Sequence, residues 1–208
     1  PVRNEFRSIV DGSPYSLSVG DDSDAEVYKR IGSNMPLVDL CEQMITVSSN
    51  FATNLLIDRL DARAVQRTVR DLGADGMTVL RGVEDSKAFA QGLNNTTTAR
   101  ALMILMERIA RHEAVDADAS RQMIEILKRQ RFNDAIPANL PPGTPVAHKT
   151  GSITKIHHDA AIVYGPRPFV LVVLTRGIED IKASAALMSR IARVLYQESE
   201  AAPDAPRR

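Results

Sequence analysis

Two short polar motifs carry the side chains best suited to chemistry. The first is Ser48-Ser49-Asn50, which stands between two segments of helical periodicity and is followed by Ala52-Thr53-Asn54-Leu55-Leu56. The second is His148-Lys149-Thr150-Gly151-Ser152, at the end of a predicted strand. Acyl transfer requires a hydroxyl nucleophile, a base that activates it and hydrogen-bond donors for the oxyanion. The hydroxyl, amide and ammonium groups of the two motifs are of the types that this chemistry uses.

Each motif, taken alone, also has a purely structural explanation. Ser48 is a good N-cap for the helix predicted after it, and Lys149 could be a solvated strand lysine. Three histidines near the second motif, His148 and the adjacent His157-His158, raise the question of a metal site. Neighbouring residues of a strand point to opposite faces, and no third ligand is evident. We therefore predict no metal and no cofactor.

The order and the context of the motifs go further than either motif alone. An S-x-N motif at a helix–helix junction precedes a strand that bears K-T-G. Between them, Gly92-Leu93-Asn94-Asn95-Thr96-Thr97-Thr98 resembles the end of an Ω-loop that leads into a helix. S-D-N and K-T-G are signatures of class A β-lactamases and penicillin-binding proteins. From near its start to about Gln197, the chain therefore resembles the class A β-lactamases and their penicillin-recognising serine-hydrolase relatives.

The resemblance implies a role for each matched residue. Ser48 would relay a proton to the leaving nitrogen, and Lys149 would lie beside it, favour that transfer and attract the substrate carboxylate. Thr150 would donate a hydrogen bond to this carboxylate, and Asn50 would orient the amide side chain of the substrate. We therefore expect Ser48 Oγ and Lys149 Nζ to line one cleft together with Asn50 and Thr150.

Two further residues of the strand motif receive roles from the same resemblance. The backbone N–H of Ser152 would be one of two oxyanion donors, and Gly151 would let the substrate backbone lie against the strand. The implied ligand is a small β-lactam or a peptidoglycan-like peptide, bound through an acyl-enzyme.

The sequence departs from the family pattern at two places in the site. Ser49 stands where β-lactamases usually carry Asp, at a position that generally points away from substrate, so we expect the change to be tolerated. Hydrolytic members use an Ω-loop glutamate followed four residues later by asparagine. Here the only glutamate of the loop is Glu84, and Ala88 is the fourth residue after it. Without a base that activates water an acyl-enzyme turns over slowly, so rapid β-lactam hydrolysis is not expected.

The nucleophilic S-x-x-K motif of the family has no counterpart upstream of Ser48. The single S-x-x-K string is Ser152-Ile153-Thr154-Lys155, on a strand end, where residues i and i+3 face opposite ways. The working motif begins a helix, where they share a face. We therefore predict that this chain alone is inactive. The nucleophile helix and two sheet strands of the family would then lie upstream, or another chain would supply them.

Composition and periodicity predict a globular α+β protein. With 208 residues, of which 44% are hydrophobic, the chain can bury a sizeable core, and 26 basic against 26 acidic residues argue against nucleic-acid binding. No apolar stretch is long enough to span a bilayer. Helices are predicted at about 36–45, 50–60, 62–72, 99–111, 119–129 and 180–197, and strands at 146–153, 159–164 and 169–175. Pro36 is expected to open the first helix, Asp61 to cap the third and Gly73 to end it, and a hydroxyl of Thr96-Thr97-Thr98 to cap the fourth.

The resemblance implies a layered sandwich of the β-lactamase/transpeptidase type, with a helical lobe beside an antiparallel sheet. One domain is expected over residues 1–197, followed by a disordered tail over 198–208. Phe169–Thr175 would be central in the complete fold, so we predict that it forms an open sheet edge here, covered by upstream residues or another copy. A periplasmic or secreted location follows from the resemblance alone.

Two alternatives to an enzyme remain open at this point. The chain could be a non-catalytic binding or partner protein that kept the fold, and the absence of a usable S-x-x-K supports that hypothesis. It could also be a helical scaffold with chance motifs, which a structure that separates Ser48 from Lys149 would favour.

Overall fold

The computed structural model describes residues 1–201, which divide into two compact units. The first unit is Pro1–Leu105, and the second begins at Met106. In chain order the strands and helices of the described residues are β1 (Phe6–Arg7), β2 (Pro14–Tyr15), α1 (Leu37–Thr46), α2 (Asn50–Leu60), α3 (Ala62–Asp71), α4 (Ser86–Ala90), α5 (Ala99–Ala110), α6 (Ala117–Lys128), β3 (Val146–Ile153), β4 (Ile156–Val163), β5 (Phe169–Arg176) and α7 (Ile181–Ala201). The predicted α+β class with an antiparallel sheet is confirmed.

Local capping residues set the helix boundaries of the first unit, as the sequence predicts. Pro36 immediately precedes α1, where its missing N–H costs no hydrogen bond. The Asp61 carboxylate accepts a hydrogen bond of 2.8 Å from the N–H of Arg63 and so begins α3. Gly73, at φ 87°, ends the turn after α3, a conformation that glycine adopts without strain.

An aromatic cluster holds α2 against the N-terminal residues of the first unit. Phe51 is fully buried, and its ring centroid lies 6.1 Å from that of Phe6 and 4.5 Å from that of Tyr28. Edge-to-face and offset ring pairs contribute about 0.5–1.5 kcal/mol beyond the burial of their area. Because β1 and β2 have only two residues each, they form few sheet hydrogen bonds, and this aromatic packing is a main contact that holds the N-terminal segment in place.

Residues 79–95 form a closed loop. Thr78 and Thr96 exchange backbone hydrogen bonds of 2.8 and 3.0 Å, which brings the two ends of the loop together. The sequence predicts irregular structure here, whereas the structure contains the short helix α4, whose first turn is capped by Asp85 through the N–H of Ala88. A helix of five residues is too short to have a recognisable period.

The main sheet is an antiparallel meander of order β3-β4-β5. Its second strand begins at Ile156, three residues before the predicted start at Asp159. The cause is the two-residue turn Thr154-Lys155, which lets Ile153 pair directly with Ile156. Lys155 has φ 59°, a conformation for which hairpin turns favour Asn or Gly. Because neither residue type is present, the hairpin has no sequence signal.

Helix α7 packs on β4 and β5 and closes the core of the second unit. That core comprises Ile136, Val146, Ala161, Val163, Leu171, Ala192 and Tyr196. The helix continues to Ala201, beyond the predicted end at Gln197, so residues 198–201 of the predicted tail are helical. The remainder of that tail lies outside the described residues. Within residues 1–201, no helix combines the length and the apolar character needed to cross a membrane.

Strand β5 is an edge of the described sheet, as predicted, because β4 is the strand it pairs with. Its apolar run Phe169–Leu174 gives an edge of the kind that recruits another strand. That upstream residues or another copy of the chain cover this edge stays a prediction.

We expect the backbone N–H groups of β5 that point away from β4 to be protected from hydrogen exchange, because a partner strand would accept their hydrogen bonds. Residue-resolved exchange by NMR at two protein concentrations checks this. Protection that grows with concentration indicates a second copy. Where the gene encodes upstream residues, protection that is independent of concentration in the extended chain indicates those residues. Fast exchange at every second residue of β5 in both proteins would contradict the prediction.

Candidate active site

Ser48 lies between α1 and α2 in a conformation that serine seldom adopts. Its φ is 59°, in the left-handed region. The N–H groups of Val47 and Ser49 both donate to the carbonyl of Gln43, at 3.4 and 3.2 Å. Ser49 is the residue that caps α2, because its Oγ accepts a hydrogen bond of 3.2 Å from the N–H of Ala52. The alternative in which Ser48 serves as the N-cap is therefore wrong.

Two residues without a sequence signal fix this junction. The hydroxyl of Ser23 donates to the carbonyls of Val47, at 2.6 Å, and Ser48, at 3.0 Å. The Asp22 carboxylate accepts a hydrogen bond of 2.9 Å from the N–H of Asn50. These partners are 24 to 28 residues apart in sequence. The run of polar residues around Asp22 is typical of a turn, and nothing in it indicates the long-range contacts.

Asn50 and Glu84 line one small cavity in the first unit. Its volume is about 140 Å³, and its lining residues are Ser16, Leu17, Ser18, Asp21, Asp22, Asn50 and Glu84. Glu84 is exposed and has φ 62°. The structure thus brings the only glutamate of the loop to the same cavity as Asn50. Ala88 is fully buried and has no polar side-chain group that could hold a water molecule.

Asn54 joins α2 to the loop that carries Glu84. Its side chain is 2% exposed, and its Oδ1 accepts a hydrogen bond of 2.6 Å from the N–H of Val83. Its Nδ2 donates to the carbonyl of the same residue at 2.9 Å. A Cβ at Gly82 would lie 2.3 Å from Asn54 Oδ1, so only glycine fits this close approach. The A-T-N continuation of the first motif therefore positions the loop.

The predicted loop-end string 92–98 closes the same loop from its other side. Asn95 Oδ1 accepts a hydrogen bond of 3.2 Å from the N–H of Arg81, and its Nδ2 donates to the carbonyl of Arg81 at 2.9 Å. Thr98 Oγ1 accepts a hydrogen bond of 3.1 Å from the N–H of Ala101 and caps α5, as predicted. The amides and hydroxyls of this string thus have local structural roles.

Asp85 anchors the loop to the N-terminal residues. It is 2% exposed and accepts hydrogen bonds from the Ser8 hydroxyl at 2.9 Å and from the N–H groups of Ile9 at 3.0 Å and Ala88 at 3.1 Å. Burial opposes ionisation of this carboxyl. The N–H groups of Ala88 and Ile9 and the Ser8 hydroxyl outweigh that effect and hold the pKa of Asp85 below its ordinary value.

Lys149 projects from β3 and is half-buried rather than fully solvated. Its Nζ donates to the carbonyl of Thr150 at 2.5 Å. Loss of hydration on burial lowers the pKa of Lys149 to about 8, although the negative charge of Asp159 acts in the opposite direction. At neutral pH the side chain is therefore a cation that loses its proton after a small rise in pH.

A buried polar group supports the strand beneath Lys149. His148 Nδ1 lies 3.0 Å from Asp159 Oδ1, and His148 Nε2 lies 3.1 Å from Asn133 Oδ1. Asp159 also accepts a hydrogen bond of 3.1 Å from the N–H of Ile136. His148 and Asp159 are both fully buried. Among residues 1–201, no group of three or more His, Cys, Asp or Glu side chains could hold a metal ion.

The strand motif is accessible at its far end. Gly151 and Ser152 are exposed, and a Cβ at Gly151 would meet no atom within 4 Å. Space for a ligand backbone therefore exists beside the glycine. Lys155 lies in the turn after β3 and pairs with Glu179 at 2.6 Å. The string from Ser152 to Lys155 is thus a strand end and a turn, and not the start of a helix.

Sequence comparison shows that the chain is similar to known β-lactamases. The sequence model described as the β-lactamase enzyme family matches residues 16–199. A β-lactamase of Bacillus licheniformis is 28% identical over 183 residues, which cover 81% of this chain and 57% of the relative. A β-lactamase of Streptomyces albus G is 32% identical over 173 residues, which cover 79% and 55%. The chain thus spans less than two thirds of the length of these curated relatives.

Structure comparison agrees with the sequence comparison. The solved structure of a mutant of PBP-A, an acyl-enzyme complex with penicillin G, is similar to this chain with a TM-score of 0.74 and 29% identity. The match covers 85% of this chain and 66% of that structure's chain. The predicted family is confirmed.

Replacement of Asp85 by Asn should lower the free energy of unfolding at pH 7 by about 1.5–3 kcal/mol, because several hydrogen bonds to a charged acceptor are weakened. The lowered pKa means that the carboxylate stabilises the fold above the unfolded value of about 4 and stops doing so as the pH falls through the folded value. The deficit of the variant should therefore shrink as the pH falls below the unfolded value. Urea unfolding at pH 7 and at a pH below that value measures it, with the exposed Asp75→Asn as the matched control. Equal stability of Asp85→Asn and wild type at pH 7 would refute the anchoring role.

The ammonium of Lys149 should titrate with a midpoint near 8, since burial disfavours its charged form. The chain has six lysines, so the ¹³Cε resonances can be followed individually by NMR from about pH 6 to 11. Loss of one signal in Lys149→Gln identifies the resonance. A midpoint above about 10, the ordinary value for lysine, would show that the side chain is solvated.

Proposed function

Because the chain belongs to the β-lactamase enzyme family, we propose that it is a serine-hydrolase domain that recognises β-lactams or D-Ala-D-Ala-like amides through an acyl-enzyme. The observation that carries the proposal is the Ser48 junction. Ser48 is held at φ 59° by the residues around it, while the neighbouring Ser49 does the capping. Strained residues that their surroundings hold in place concentrate at functional sites, and Ser48 has no capping role that would account for its conformation.

In this proposal Ser48 and Lys149 are the proton-transfer residues. Ser48 passes a proton to the leaving nitrogen, and Lys149 supplies a positive charge that favours the transfer and attracts the substrate carboxylate. A lysine with a pKa of about 8 can do both near neutral pH. Affinity for the carboxylate should fall as the pH rises through this value, because the ammonium is then lost. That the two side chains share a cleft stays a prediction.

The substrate-binding roles complete the proposal. Asn50 orients the amide side chain of the substrate, and Thr150 donates a hydrogen bond to its carboxylate. The Ser152 N–H serves as an oxyanion donor, where a fixed backbone dipole is most effective. The open space beside Gly151 supports its proposed role as the place where substrate backbone lies against the strand.

The residues expected to serve deacylation are only partly present. Glu84 lines the same cavity as Asn50, which supports a role near the acyl group. The asparagine expected four residues later is replaced by the buried Ala88. With one polar group fewer to hold the attacking water, we propose a long-lived acyl-enzyme rather than rapid hydrolysis. The similarity to PBP-A, of which a mutant was solved as an acyl-enzyme with penicillin G, supports the proposal of a long-lived acyl-enzyme.

The nucleophile decides between an enzyme and a binding protein. The single S-x-x-K string of these 208 residues lies on a strand end, and its Lys155 is paired with Glu179. This favours the second candidate function, in which the chain alone binds the ligand or a partner chain without reacting. A periplasmic or secreted location is part of the proposal, since peptidoglycan and β-lactams are met outside the cytoplasm.

Incubated with penicillin G, the 208-residue chain should form no acyl-enzyme. Neither Ser48 nor Ser152 occupies the helix start from which the family's serine attacks, and loss of the nucleophile costs about a million-fold in rate in a well-studied serine hydrolase. Intact-mass spectrometry, followed by peptide mapping, checks the prediction. The PBP-A mutant that was solved as an acyl-enzyme complex with penicillin G, treated in parallel, is the positive control.

If the gene encodes an upstream S-x-x-K, the extended protein should be labelled at that serine. A stoichiometric adduct on the short chain would refute the assignment, and peptide mapping would show whether Ser48 or Ser152 had reacted. An extended protein with S-x-x-K that takes no label would favour the binding protein over the enzyme.

A further inference from the structure

The Asp22 carboxylate is the meeting point of four donors in the first unit. It accepts hydrogen bonds from the N–H groups of Asn50, at 2.9 Å, and Phe51, at 2.8 Å. It also accepts from the Tyr28 hydroxyl at 3.1 Å and from the Ser49 hydroxyl at 3.5 Å. Four donors on one half-buried side chain are more than a turn residue needs.

The first four N–H groups of α2 find their acceptors on two residues, Ser49 and Asp22. Ser49 Oγ takes the N–H of Ala52, and the Ser49 carbonyl takes that of Thr53. Asp22 takes the two N–H groups that precede them. A negative charge at a helix N-terminus is favourable, because the orphan N–H groups and the helix dipole are positive there. A serine at position 49 cannot supply that charge.

We propose that Asp22 supplies, from a separate segment of the chain, the carboxylate that the S-D-N pattern carries at its middle position. Asp22 is then a positioning residue for Asn50 and Ser48, and the inference rests on the function proposed above. Ser49 lacks the carboxylate of the pattern, and Asp22 provides a carboxylate at the same helix terminus. The two positions are adjacent in space, since the Ser49 hydroxyl donates to Asp22 at 3.5 Å.

The neighbouring residue extends the same hold to Ser48. Ser23 donates to the carbonyls of Val47, at 2.6 Å, and Ser48, at 3.0 Å. The dipeptide Asp22-Ser23 therefore forms hydrogen bonds to the backbone on both sides of Ser48, whose φ is 59°. Loss of the hydrogen bonds between Asp22 and the first N–H groups of α2 would remove one restraint on the conformation of Ser48 and on the orientation of Asn50.

A residue exchange tests this inference. Four variants are needed: Asp22→Ser, Ser49→Asp, the double exchange, and Asp75→Ser as the matched control. The double exchange keeps composition and net charge, and Asp75 is an exposed acidic residue of the first unit that does not line the cavity shared by Asn50 and Glu84. Hydrogen exchange at the Phe51 N–H reports the helix terminus, and NMR titration of the Asn50 side-chain amide with penicillin G reports its positioning.

Asp22→Ser should speed exchange of the Phe51 N–H and weaken penicillin G binding about ten-fold, as expected for loss of a charged acceptor. Ser49→Asp alone should also weaken binding, because two carboxylates then lie side by side. The double exchange should restore both readouts to within about three-fold of wild type. Asp75→Ser should behave as wild type.

A double exchange no better than Asp22→Ser would overturn the proposal, as would loss of stability without any change in penicillin G affinity. If Asp22→Ser does not fold, the double exchange must fold, and its failure also overturns the inference. A wild-type chain that shows no response to penicillin G counts against the proposed function. In that case Phe51 exchange across the four variants still decides the role of Asp22.

Discussion

An α-helix begins with N–H groups that have no acceptor inside the helix. In this protein the helix concerned is α2, because its first residue is Asn50 and the candidate site residue Ser48 lies just before it. The acceptors come from Ser49 and from Asp22, which belongs to the distant N-terminal segment. That segment must therefore be held in place. Tyr28 does so twice, because its ring packs on Phe51 and its hydroxyl donates to Asp22 at 3.1 Å. Burial, with the charge of Asp22, raises the pKa of Tyr28 above its ordinary value, so the hydroxyl stays a donor.

Two residues of the first unit are held in the left-handed region at the site, Ser48 at φ 59° and Glu84 at φ 62°. Each such residue costs about 1–3 kcal/mol and persists only where its surroundings over-determine it. Ser23 and Asp22 do this for Ser48. Asn54 does it for Glu84, because its side-chain amide accepts from the N–H of Val83 through Oδ1 and donates to the Val83 carbonyl through Nδ2. Because Asn54 belongs to α2 and Asp22 binds the first N–H groups of α2, both strained residues depend on this helix.

Structural features that depend on contacts between neighbours in the sequence could be predicted, whereas those that depend on contacts between distant residues could not. The Asp61 cap of α3 and the Thr98 cap of α5 depend on local side chain to backbone bonds, and both agree with the structure. The motif residues could be found for the same reason, since their spacing along the chain identifies them. The support of the site could not, because Asp22 reaches Asn50 across 28 residues and Asp85 reaches the Ser8 hydroxyl across 77. Local propensity assigns such acidic residues to solvent, whereas the cost of unsatisfied donors places Asp85 in the interior and the half-buried Asp22 against α2.

Lys149 presents the opposite situation, a charge whose surroundings disfavour it. Desolvation lowers its pKa to about 8, and the charge of Asp159 offsets this only in part. Asp159 is at the same time engaged by His148 and by the Ile136 N–H, so its charge is shared among several partners. An anion that binds beside Lys149 would add negative charge near the ammonium and raise the pKa of the lysine. By linkage, ligand binding above about pH 8 would then take up a proton. A lysine arranged in this way favours carboxylate ligands over neutral ones without any additional contact, which is the discrimination that its proposed role requires.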